Sequence, residues 1–97
     1  MFNYNISGSS MIFTFQPKLD TAACNKAEDE LFSIINHSEL AIVFDMSGVE
    51  YISSNFLRIS LQLWQKLGKD RFSVKNVSES VRKIYHMAGF DGILVLG

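Results

Sequence analysis

Residues 40–46 read LAIVFDM, a run with a single charged side chain, Asp45. A strand with no polar/apolar alternation has to be covered on both faces or nearly so, the usual state of a central strand between parallel neighbours. Parallel neighbours need long crossover connections, and helical patterns stand on both sides of this run. The run therefore constrains the chain to an α/β arrangement in which helices pack on a sheet.

The first helix is expected over 21–36. Asp20 stands ready to cap it, Ala23, Ala27, Leu31, Ile34 and Ile35 share one face, and Asn25, Glu28, Asp29 and Ser33 lie off that face. The acids in its early turns also suit the helix dipole. A second helix is expected over 55–67, with Leu57, Leu61, Leu63, Trp64 and Leu67 inside, Arg58, Gln62, Gln65 and Lys66 outside, and Gly68 as its stop. Its apolar arc spans roughly 200°, wider than a helix with one contact surface needs. Such a helix touches more than one neighbour or offers apolar surface to a partner.

Phe2, Tyr4 and Ile6 alternate with asparagines, and MIFTF at 11–15 repeats the period across a Ser-Gly-Ser-Ser turn, which predicts a hairpin. RFSVK at 71–75 alternates as a strand. A third helix is expected over 78–88 with Val81, Ile84, Tyr85 and Ala88 inward and Gly89 at its end, and ILVL at 93–96 reads as a closing strand. The order ββαβαβαβ predicts a small mixed β-sheet, an N-terminal hairpin plus parallel strands, with helices mainly on one face. Ninety-seven residues, 47% of them hydrophobic, are expected to form a single domain over 1–97 with one core.

Several function classes find no support. The net charge of −1 is too small to draw the chain onto a polyanion, so no nucleic-acid partner is expected. Charge is uneven, with two lysines against seven acids in residues 1–50 (net −5) and seven bases against three acids in 51–97 (net +4), a pattern read as two halves that compensate each other. Cys24 is the one cysteine; it excludes an internal disulfide and is expected to be a small core residue in a reducing compartment. No apolar run reaches the 18 or so residues of a membrane span, so direct membrane insertion is not expected and the location is expected to be cytoplasmic. His37 and His86 stand far apart without metal-ligand spacing, Glu28, Asp29 and Glu30 read as a solvated helix face, and neither SGSS nor MSGV has phosphate-loop spacing. No enzyme activity, cofactor or metal is expected.

What remains is the loop DMSGVEYISSN between the apolar strand and the second helix, because ligands and partners meet an open parallel sheet at the carboxyl ends of its strands. Ser53 and Ser54 are both able to cap that helix. The stretch DMSGVEYISSNFL (45–57) resembles the STAS family of anti-sigma factor antagonist domains, whose signature is close to D-[LM]-S-G-V-x-Y-I-[DS]-S-[SA]-G-L. LDTA at the first helix, RFSVKNV and SESVRKIYHMAGFDGILVL extend the likeness along the chain.

The resemblance implies a non-enzymatic anti-anti-sigma factor in transcription regulation, which binds an anti-sigma factor or a serine kinase of the histidine-kinase-like ATPase type. Phosphorylation of a serine at the head of the second helix abolishes that binding in the family. Residue by residue, Asn55 falls at the phosphoacceptor position, Phe56 at the usual glycine, Ser53 at the usual aspartate and Ser54 just before the acceptor. Asn55 is not phosphorylatable, so switching at that position is expected to be lost; modification of Ser54 in its place is the alternative reading. The partner surface implied is Asp20, Ser53, Ser54, Asn55, Phe56, Arg58 and Gln62. Phe56 has two readings: tucked inward beside Ile59 and Leu63, or exposed as an aromatic anchor. A second functional reading is a subunit docked on a membrane transporter or larger signalling assembly.

Overall fold

The computed structural model describes residues 1–90. In chain order its elements are β1 (Phe2–Ser7), β2 (Ser10–Phe15), β3 (Lys18–Leu19), α1 (Thr21–Asn36), β4 (Ala41–Asp45), β5 (Tyr51–Ile52), α2 (Ser54–Leu67), β6 (Phe72–Lys75) and α3 (Glu79–Met87). The strand expected at 93–96 lies outside the described residues.

The apolar run forms β4 inside a four-stranded sheet ordered β1-β2-β4-β6. β1 and β2 form the expected antiparallel hairpin, with Ser7 opposite Ser10. The two-residue turn between them needs a positive φ, which Gly8 supplies at +61°. β4 runs parallel to both β2 and β6, so α1 and α2 sit in crossovers. Met11, Phe13, Ile42, Phe44, Phe72 and Val74 point to one side of the sheet and are buried there. Phe44 is the hub, with ring centroids 5.8 Å from Phe13, 4.9 Å from Phe15 and 5.0 Å from Phe72. On the opposite face Ala41, Val43 and Asp45 are only half-buried, so cover on that face is partial and the expectation for this strand is corrected to that extent.

All three helices contribute to the cluster on the covered face. In α1 the buried residues are Cys24, Ala27, Leu31 and Ile35, while Ala23 and Ile34 sit at the margin. α2 starts one residue earlier than its pattern suggests and is rotated. Phe56, Ile59, Ser60 and Leu63 form its buried centre, and Leu57, Leu61, Trp64 and Leu67 are half-buried flanks. Gly68, at φ +77°, ends it. In α3, Val81 and Tyr85 are buried but Ala88, expected inward, is exposed because it is already the C-cap.

Two short parallel strands escaped the sequence reading. β3 and β5 pair through Lys18 with Tyr51 and Leu19 with Ile52. The Glu50 amide donates to the Pro17 carbonyl at 2.7 Å and the Ser53 amide to the Leu19 carbonyl at 2.9 Å. This small ladder draws the starts of α1 and α2 together.

Tyr85 is wholly buried, and its hydroxyl lies 2.8 Å from Ser60 Oγ, which itself donates to the Phe56 carbonyl at 3.0 Å. Burial pushes the Tyr85 hydroxyl well above its ordinary range, with the Ser60 bond pulling the other way. The group stays protonated and joins α3 to the first turns of α2. Tyr85→Phe is expected to cost about 0.5–1.5 kcal/mol, and the melting temperature falls by about 4–8 °C for each kcal/mol lost in a domain of this size. Thermal unfolding followed by circular dichroism checks this; an unchanged transition would show that the bond adds nothing.

Candidate functional site

The β3–β5 ladder places Asp20, the N-cap of α1, beside Ser53, the N-cap of α2. Asp20 Oδ1 accepts from the Ala23 amide at 2.8 Å, and Ser53 Oγ accepts from the Phe56 amide at 3.4 Å. Ser53 is 4% exposed and lies 3.7 Å from Cys24 Sγ. Burial pushes the Cys24 thiol up, partly offset by the Ser53 hydroxyl, so the thiol stays protonated in the core as its isolation in the sequence suggests.

Phe56 follows as the third residue of α2 and is 0% exposed. Its ring lies 5.3 Å from Phe15 and 5.8 Å from Phe44, at the aromatic hub of the sheet. Ser53, expected at the partner surface, is therefore buried, and of the two readings for Phe56 the structure takes the inward one. Ser53 turns inward to cap the helix, and the Phe56 ring gains more from the core than from water.

With Phe56 inward, helical geometry turns Ser54, Asn55, Arg58 and Gln62 outward. Ser54, Arg58 and Gln62 are exposed, as is Asp20, while Asn55 is half-buried. Asn55 Nδ2 donates to Asn25 Oδ1 on α1 at 2.9 Å. Arg58 clasps Glu28 through both guanidinium amines, at 2.7 and 3.4 Å, and Lys66 donates to Asn36 Oδ1. Each pair is separated by thirty residues in the chain, the signature of two parallel helices held in fixed register. Glu28 raises the pKa of the Arg58 guanidinium, but at 45% and 24% exposure the pair fixes geometry more than it adds stability.

The structure thus gathers Asp20, Ser54, Asn55, Arg58 and Gln62 onto one surface at the joined heads of α1 and α2. Sequence reasoning missed three members of this neighbourhood. Asn25 and Glu28 were placed off the apolar face of α1 without a partner, and Tyr51, 48% exposed on β5, was read only as part of the loop. The i, i+3, i+4 spacing of Asn25, Glu28 and Asp29 marks an outer face, but nothing local shows which helix runs beside it.

Elsewhere, His37 caps the end of α1 with Nδ1 2.7 Å from the Ser33 carbonyl, and His86 lies exposed on α3. Among the described residues no group of three or more His, Cys, Asp or Glu side chains is placed to hold a metal, and no helix is long and apolar enough to cross a membrane. An open cleft of about 430 Å³ lies between Met1 and Gln16 on one side and Ala22, Ala23, Lys26, Ala27 and Glu30 on the other. Its lining contains no Ser, Cys or His.

The STAS domain profile matches residues 1–96. The chain belongs to the STAS domain family. Its fold is shared by an anti-sigma factor antagonist from Mycobacterium paratuberculosis (TM-score 0.85, 23% identity, covering 100% of this chain and 86% of that one). It is shared by a STAS domain protein from Planctomyces limnophilus (TM-score 0.82, 14% identity, 96% and 85% covered) and by the unphosphorylated antagonist SpoIIAA (TM-score 0.80, 15% identity, 98% and 86% covered). The phosphorylated form of the Bacillus SpoIIAA also matches, with a TM-score of 0.73 at 15% identity over 98% of this chain and 89% of that one. Comparison with curated proteins finds no significant match.

In this STAS domain the DMSGV segment is tied down by its own acid. Asp45 Oδ1 accepts from the Ser47 hydroxyl at 2.7 Å, the Ser47 amide at 3.0 Å and Asn76 Nδ2 at 3.1 Å. Burial pushes the carboxyl up, but these bonds and the nearby Lys75 outweigh it and hold the pKa below the usual carboxylate value. A depressed folded-state pKa means that the ionised carboxylate stabilises the fold above the unfolded value, near pH 4, and that this stability fades as pH falls through the folded value. Asp45→Asn is expected to flatten the acid limb of the stability–pH curve, measured by urea unfolding from neutral pH downward. Parallel curves for the two proteins would contradict the assignment.

Proposed function

We propose that residues 1–97 are a single STAS domain acting as a non-enzymatic protein-binding module of the anti-sigma factor antagonist kind. Its partner is an anti-sigma factor or a serine kinase of the histidine-kinase-like ATPase type. The observation that carries this reading is the state of Asn55: uncharged, at the head of α2, hydrogen-bonded to Asn25 and bordered by exposed Asp20, Ser54, Arg58 and Gln62. SpoIIAA, which shares the fold, is described in both unphosphorylated and phosphorylated forms. A phosphoserine adds a charge of about −1.5 to −2, which a partner packed on this turn would have to desolvate or abandon. Asparagine has no hydroxyl to accept phosphate, so position 55 stays in its uncharged state and the surface stays competent to bind.

Asp20, Ser54, Asn55, Arg58 and Gln62 form the contact surface in this reading, and Tyr51 extends it with a half-exposed ring. Tyrosine and arginine are among the side chains that most often dominate interface energies. The neighbouring bases and acids, Arg58 beside Glu28 and Asp20 nearby, set orientation.

The test uses the intact chain as bait in its own cells, with captured proteins identified by mass spectrometry. Recovery of an anti-sigma factor or an ATPase-type serine kinase is expected; recovery of membrane transporter subunits alone would contradict the antagonist reading. Asn55→Asp is expected to weaken binding by about tenfold or more, since an unpaired charge in a packed contact costs on the order of 1.4 kcal/mol or above. The new carboxylate sits at a helix N-terminus, where it favours folding, so lost binding would not reflect lost structure. Asn55→Ser is expected to retain binding. Equal affinity of the wild type and Asn55→Asp would remove position 55 from the interface.

A further inference from the structure

β1 is the outer strand of the sheet among the described residues, and it lacks the usual devices that keep such an edge single. Residues 1–17 contain no Asp, Glu, Lys or Arg, and β1 itself, FNYNIS, has no proline or glycine. Natural sheets normally protect an outer strand with charge, proline, a bulge or a covering segment. Here the β1–β2 register runs without a break from Phe2 opposite Phe15 to Ser7 opposite Ser10. Two of its apolar side chains are exposed, Tyr4 at 47% and Ile6 at 61%, while Phe2 is half-buried with its ring 5.7 Å from Phe13.

The hydrogen bonding fixes which backbone groups face outward. The Gln16 amide donates to the Met1 carbonyl at 3.0 Å, so Met1, Asn3, Asn5 and Ser7 turn their N–H and C=O groups toward β2. Phe2, Tyr4 and Ile6 turn theirs away from the sheet; on this same face Tyr4 and Ile6 are exposed and Phe2 is half-buried.

From this we propose that β1 pairs antiparallel with β1 of a second copy of the chain, joining the two sheets edge to edge into one continuous sheet. The sequence is complementary to itself about Tyr4. A two-fold axis there sets Tyr4 against Tyr4, Phe2 against Ile6 on the apolar face, and Asn3 against Asn5 on the other. The residues that oppose one another on the apolar side are those whose backbone groups are free, so each facing pair exchanges both of its hydrogen bonds. The absence of charge matters to this arrangement, because in a two-fold pairing a charge at the axis would meet its own copy. The paired strand shares no residue with the surface formed by Asp20, Ser54, Asn55, Arg58 and Gln62, so a dimer would present two copies of it.

A six-residue strand pair covers less than the about 1,200 Å² typical of long-lived interfaces, so the dimer forms in a concentration-dependent way. Sedimentation equilibrium of the purified chain is expected to show the mass doubling as concentration rises. Hydrogen exchange is expected to slow at the Phe2, Tyr4 and Ile6 amides over the same range, while Asn3, Asn5 and Ser7 do not change. Tyr4→Lys and Tyr4→Glu are each expected to lose the dimer, and mixing the two variants to restore it, since the axis then sets an ammonium against a carboxylate. Recovery on mixing also shows that both variants are folded. A wild-type mass that stays monomeric up to the solubility limit would overturn the proposal. So would a dimer that survives Tyr4→Lys undiminished.

Discussion

The seat of Phe56 determines most of what the protein presents to its surroundings. An aromatic ring in the first turn of α2 is driven between Phe15 and Phe44, and the gain from removing it from water exceeds anything that turn could recover at the surface. Once the ring is fixed, the helix has no rotational freedom left. Ile59, Ser60 and Leu63 must follow it inward, Ser53 must turn its hydroxyl to the Phe56 amide, and Ser54, Asn55, Arg58 and Gln62 must face out. A residue that departs from the STAS pattern, standing where a glycine is usual, thus acts from the core to orient the exposed side.

The outer side is then held by α1. Crossovers between parallel strands leave α1 and α2 side by side and pointing the same way, and the thirty-residue offset recurs in Asn25–Asn55, Glu28–Arg58 and Asn36–Lys66. None of these exposed pairs adds much stability by itself. Together they limit the rotamers of the side chains at the helix heads, so the partner proposed for this surface would meet it already near its bound form, at a lower entropic cost of association. The β3–β5 ladder serves the same end from the backbone, since it holds both N-caps within one small region.

Much of this architecture was legible in the sequence because it depends on local chemistry. Asp20 and the period of α1 fixed that helix to the residue, and alternation in FNYNI and MIFTF marked the hairpin. The phase of α2 was not legible, because an apolar arc of roughly 200° is compatible with several inward directions and only the neighbours choose among them. Phe56 outweighed Leu57 and Leu61 through its contacts with Phe15 and Phe44, which lie far away in the chain. Two-residue strands such as β3 and β5 are too short to show a period. For the candidate site, the motif located the loop and Ser54, and the helical period placed Arg58 and Gln62 outside. It did not reveal the burial of Ser53, which of its two readings Phe56 would take, or the bond from Asn55 to Asn25, because these arise from packing between elements.

The central claim is that the head of α2 stays uncharged and so remains open to a partner. Its most direct measurement is phosphate mapping by mass spectrometry of the intact chain after incubation with ATP and an extract of its own cells. The account predicts that the peptide covering residues 51–58 carries no phosphate. Stoichiometric phosphate on Ser54 would contradict it, because the charge that Asn55 excludes would then arrive one residue earlier.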